Sequence, residues 1–149
     1  MWLNPIFDRT QEDVDFAIMN RNHPEPLKGM RGNSDLDRIS NNMRYVRDYL
    51  IANGYYAPEI TSRNDWDETG DFARESDIQK FKNDLIGLRS AGAVWVTTPD
   101  VPDLPYLHFE KINDIEKIIY DIHIMVYNIK NNKNLGWCLG IAHTGLYIG

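Results

Sequence analysis

Apolar residues recur at helical spacing in four stretches of the chain, and three of these open on a residue suited to capping a helix N-terminus. Thr10 precedes Gln11, Glu12 and Asp13, acids and amides that favour a helix start, and Val14 and Ile18 share a face beyond it. This first helix is short, because His23-Pro24-Glu25-Pro26 cannot continue it. After Ser34, Leu36, Ile39, Met43, Val46 and Leu50 follow a 3-4-3-4 spacing that ends before Gly54. Ser76-Asp77-Ile78-Gln79 has the form of a capping box, and Ile78, Phe81, Leu85 and Leu88 continue it to about Arg89. From near Asn113, Ile115, Ile118, Ile122, Met125 and Ile129 form a stripe that Ile119 and Val126 widen, which predicts the central helix.

The segments between these helices predict order rather than linkers. Residues 55–75 are polar, but Tyr55, Tyr56, Ile60 and Trp66 can anchor them to a core. Three prolines between Pro99 and Pro105 forbid helix and predict an extended connection. Past Asn131-Asn132-Lys133-Asn134 the period changes: Trp137, Leu139 and Ile141 alternate, His143-Thr144-Gly145 supplies a turn, and Leu146, Tyr147 and Ile148 follow. The expected fold is mainly α, a small bundle of about four helices with long ordered loops. Residues 1–134 form the helical domain, and 135–149 form a C-terminal β-hairpin or extended arm. A lone hairpin is marginal in water, so this one either packs on its own bundle or pairs with another chain.

Composition then narrows the function. At 149 residues, 42% of them hydrophobic and 26% charged, the chain can bury one core. No apolar run approaches the roughly 18 residues of a membrane span, and the start Met1-Trp2-Leu3-Asn4-Pro5 lacks the form of a signal peptide, so no membrane partner and no export are expected. The net charge of -6 argues against nucleic acid as a partner. Acids are concentrated early: residues 1–75 hold fourteen acids and nine bases, whereas 130–149 hold Lys130, Lys133 and no acid. Cys138 is alone, which excludes an intrachain disulfide.

Candidate chemistry is sparse. Asp65, Asp67, Thr69 and Gly70 fit the first half of a calcium loop, but its twelfth position is Ser76 rather than a bidentate Glu, and no helix leads in. Asp71 and Glu75 fit better as acids approaching the helix at Ser76. His23, His108, His123 and His143 lack metal-ligand spacing, and His123 is expected to flank the buried face of the fourth helix. Neither a nucleophile elbow nor a phosphate loop is present, and Gly29-Met30-Arg31-Gly32-Asn33 reads as a turn into the second helix. The expectation is no enzyme: no catalytic residue, no metal and no cofactor.

Several blocks occur in an order that resembles a family of small proteins and domains from the tail, baseplate and neck regions of phages and prophages of Firmicutes and related gut bacteria. They are Phe7-Asp8-Arg9-Thr10-Gln11-Glu12-Asp13-Val14 after an N-terminal Trp, and Asp35-Leu36-Asp37-Arg38-Ile39 with Asn42 and Tyr45. Gly54-Tyr55, Trp66, the proline-rich connection, Asn113 to Asp121 and a Gly/Tyr tail complete the set. The resemblance implies a non-enzymatic virion structural protein made in the bacterial cytoplasm. Its partners would be other virion structural proteins, in several copies around a symmetric ring. The alternative is a phage-tip module binding a host-surface glycan or protein through Trp66, Trp95 and nearby tyrosines. The expected protein interface is Trp2, Trp137, Leu139, Ile141, Leu146, Tyr147 and Ile148, the apolar residues at the two ends outside the helices.

Overall fold

The computed structural model describes residues 1–29, 32–66, 74–104 and 108–131. The arm expected at 135–149, with Trp137, Leu139, Ile141, Leu146, Tyr147 and Ile148, lies outside them, as does most of the half-formed calcium loop. Four helices account for the fold: α1 (Gln11–Met19), α2 (Asn33–Ala52), α3 (Glu75–Ala91) and α4 (Phe109–Asn131). The fold is a mainly α small bundle, and no strand occurs among the described residues.

The periodic stripes become the core. Leu36, Ile39, Met43 and Leu50 from α2, Phe81 and Leu85 from α3, and Ile115, Ile118 and Ile122 from α4 are all buried. Three helix starts differ from expectation. α3 begins at Glu75 with Arg74 as its cap and no capping-box bond, and Gln79 donates to Asn83 instead. α4 begins at Phe109, a turn before Asn113, and the Asn113 amide holds Arg9 rather than capping a helix. α2 starts at Asn33 with Gly32 as cap, so Ser34, expected as the cap, lies inside its first turn. In α1 the reciprocal Thr10–Asp13 box forms, but the buried positions are Val14 and Ala17, and Ile18 is exposed.

The three long helices run parallel. Arg47 of α2 donates to Pro58 O at 3.0 Å while the Pro58 ring lies against Gly87 of α3, and Ser62 bonds Arg44 on α2 and Asp84 on α3. Positions 44 and 47 therefore share levels with 84 and 87, in the same direction. Asp103 joins Lys82 of α3 to Lys111 of α4, and Gly92 abuts Ile122. Likewise Asp35 and Arg38 of α2 meet Glu116 of α4, and Tyr45 and Tyr49 meet His123.

Parallel neighbours require the chain to travel back between helices. α2, with 20 residues, is roughly 30 Å long, which an extended chain covers in about nine residues. Segments 53–74 and 92–108 are long enough, whereas antiparallel helices need only about 2–8 connecting residues. The returning chain lies in the grooves. Residues 1–9 lie between α4 and α2, 55–66 between α2 and α3, and 94–104 between α3 and α4. Each of these straps precedes the helix it leads to, so the bundle is three strap-and-helix units arranged in a cycle, with α1 inserted into the first.

Candidate functional site

The sites where sequence and fold spend most polar chemistry are the strap anchors, because an extended chain without a neighbouring strand must satisfy its backbone from helix side chains. In the first strap, Asn42 of α2 holds Leu3 twice, accepting from its N–H at 3.0 Å and donating to its carbonyl at 2.8 Å. Ile6 N–H donates to Glu116 Oε2 at 2.7 Å. Asn113 repeats the double grip at Arg9, accepting at 3.2 Å and donating at 2.9 Å. Asp84 of α3 holds the second strap by accepting alone, from the N–H groups of Thr61 and Ser62. Asp37 accepts from Trp66 N–H at 2.7 Å. In the third, Thr98 Oγ1 donates to Asp121 at 2.6 Å and Arg89 donates to the carbonyls of Thr98 and Pro99.

Where the first strap ends, these anchors merge into a buried charge cluster. Arg9 Nη2 donates to Asp35 Oδ1 at 2.8 Å and to Glu116 Oε1 at 3.1 Å. Arg38 Nη2 lies 2.5 Å from both carboxylates, and its Nε donates to Glu116 Oε2 at 3.2 Å. The Arg9 side chain is fully buried and the Glu116 side chain is 1% exposed. Two guanidiniums and two carboxylates balance, which is what allows four charges to leave water. Burial pulls the Arg38 pKa down, but Glu116 and Asp35 outweigh it and hold the guanidinium above its ordinary value. Arg9 Nε and Asp35 Oδ2, on two residues already joined, remain without partners. Beside the cluster a cavity of about 190 Å³ is lined mainly by Leu36, Ile39, Ile112 and Ile115, smaller than the roughly 300 Å³ at which ligand pockets begin.

Trp2, expected at an interface, is half-buried against its own chain, packed on Tyr45 and His123. Trp66 is 1% exposed, with its indole N–H donating to Ser40 Oγ at 3.1 Å, so it forms no surface platform. Its burial gives the second strap the core anchor its sequence predicts, together with Tyr55 and Ile60, but Tyr56 is 85% exposed and anchors nothing. Among the described residues no group of three or more His, Cys, Asp and Glu is placed to hold a metal, and no helix is long and apolar enough to cross a membrane. Compared with known protein families, curated proteins and solved structures, the chain matches none.

Sequence reading missed the anchors themselves. Asn42, Asp84, Glu116 and Asp121 are all buried, yet each stands beside an apolar stripe where a polar residue is ordinarily assigned to solvent. The usable signal was their position, next to Met43, Leu85, Ile115 and Ile122.

Proposed function

We propose that this chain is a non-enzymatic structural and assembly protein of a tailed bacteriophage particle, docking in several copies onto a tail, baseplate or neck ring. The observation that carries the assembly role is α1. α1 turns Val14 and Ala17 inward, yet Phe16 is 54%, Ile18 51% and Met19 83% exposed. Phe16 and Met19, three residues apart, share the face opposite Val14. Exposed apolar groups gathered on one element mark a surface that another protein covers.

The non-enzymatic part of the reading draws on how the buried acids are used. Asp35 and Glu116 neutralise Arg9 and Arg38, while Asp84 and Asp121 hold straps, so their acceptor capacity goes to architecture. The phage context comes from the ordered sequence blocks, of which Arg9, Asp35, Arg38, Asn42, Asn113 and Glu116 are strap-anchoring members. The test is incorporation. Phe16→Ser with Met19→Ser should leave the melting of the isolated protein close to wild type and deplete it from purified particles. Normal incorporation of the folded double variant would remove α1 as the docking element.

A further inference from the structure

The two ends of the first strap are held by different chemistry. From Ile6 to Arg9 the grip is charge and amide hydrogen bonds, buried at the Arg9 ion pairs and part-buried elsewhere. At Trp2 rings join the grip: the indole lies 4.4 Å from the His123 imidazole at 32°, and 5.5 Å from Tyr45, beside the Asn42 bonds to Leu3 and an Asn41 bond to the Met1 carbonyl, which release of this end must also break. Tyr45 and Tyr49 meet the same imidazole edge-on, at 5.5 and 5.0 Å. His123 Nδ1 is buried there without a hydrogen-bond partner. A neutral imidazole tolerates this by carrying its proton on Nε2, whereas an imidazolium must carry one on both nitrogens and would strand a buried N–H.

Among the described residues nothing around the ring offsets that demand. The titratable and charged groups meeting the cluster are Tyr45 and Tyr49 from α2, and Tyr127 and Lys130 from α4 itself, with Lys130 Nζ 6.0 Å from the Tyr49 ring. The strap contributes the neutral Trp2 indole. Among the described residues no carboxylate pairs with His123.

We propose that the start of the chain is an acid-released flap: protonation of His123 frees Trp2 and residues 1–4, hinged at Pro5, and uncovers the Tyr45–Tyr49 face while Ile6 to Arg9 stay seated. Burial holds the His123 pKa below its ordinary 6.5. The sign follows from linkage: the released state binds the proton more readily than the docked one. Docking is therefore complete above the ordinary value and weakens as pH falls through it towards the docked value, by about tenfold for each unit separating the two. Attraction of an imidazolium to the Trp2 face would act oppositely and raise the value, so the direction of the shift separates the two forces.

The full chain tests this by NMR. The His123 ring should titrate below 6.5, moving back towards it in Trp2→Ala. Between pH 7 and pH 5, after correction for intrinsic exchange, protection of the Leu3 amide should fall by the factor that the measured His123 shift sets, about tenfold per full unit, while that of the Ile6 amide holds. In His123→Phe, or in His123→Gln if the first folds poorly, the Leu3 response should vanish. Titration at or above 6.5, or an unchanged Leu3 response in a folded His123 variant, overturns the proposal.

Discussion

Replacing Glu116 by Gln keeps the shape of the side chain and removes one of two charges that balance the buried Arg9 and half-buried Arg38 guanidiniums. In the wild type, Glu116 accepts from Arg9 Nη2, from Arg38 Nη2 and Nε, and from the Ile6 N–H. A glutamine has one acceptor oxygen. If that oxygen faces the arginines, its NH₂ group meets the Ile6 N–H, donor against donor; if it turns to Ile6, the NH₂ group meets the guanidiniums. Either way Asp35 alone must balance Arg9 and Arg38. Breaking a buried ion pair by removing one partner costs about 3 to 5 kcal/mol, a large part of the roughly 5 to 15 kcal/mol that stabilises an ordinary domain. Urea unfolding should report that loss with an unchanged slope, and exchange of the Ile6 amide should accelerate more than that of core amides on α3. The exposed Lys82–Asp103 pair is the control, and Asp103→Ala should be indistinguishable from wild type. A loss under about 1 kcal/mol for Glu116→Gln would refute the claim that this cluster fastens the strap.

Other substitutions probe the remaining levels of the structure. Ile118→Ala and Ile122→Ala, both at fully buried positions, should each cost about 2 to 5 kcal/mol in thermal or urea unfolding, and an unchanged transition for both would remove α4 from the core. Gly29→Ala places a Cβ 1.9 Å from the Asp13 carbonyl oxygen, so α1 must shift; its amides should lose exchange protection while those of α2 and α4 keep theirs. Asn42→Ala removes both bonds to Leu3 and should cost about 1 to 3 kcal/mol, with the Leu3 amide the most affected.

The core was legible in the sequence because it is built on periodicity. A stripe at 3-4 spacing in α2, α3 and α4 can face only a neighbour, and of the positions named from it all are buried except Ile129, which is half-buried in the last turn of α4. The second and third straps were legible as ordered segments, through Trp66 and the prolines, but not as return crossings, although their length already disfavours antiparallel helices. Their anchors were hidden for a physical reason: Asn113, Asp84 and Glu116 are residue types that usually cap helices or face water, and only tertiary contact turns them into substitutes for a neighbouring strand. Asn113 was read as a helix start on that account. The aromatic nest around His123 combines residues far apart in the chain, from Trp2 to His123, and no local pattern announces it.

The assembly reading is tested most directly by quantitative mass spectrometry of particles purified from a host strain carrying this sequence. The account predicts the protein in the particle fraction at a fixed number of copies per particle, unchanged by salt washing and repeated banding. Its presence in the producing cells together with its absence from the purified particles would contradict it.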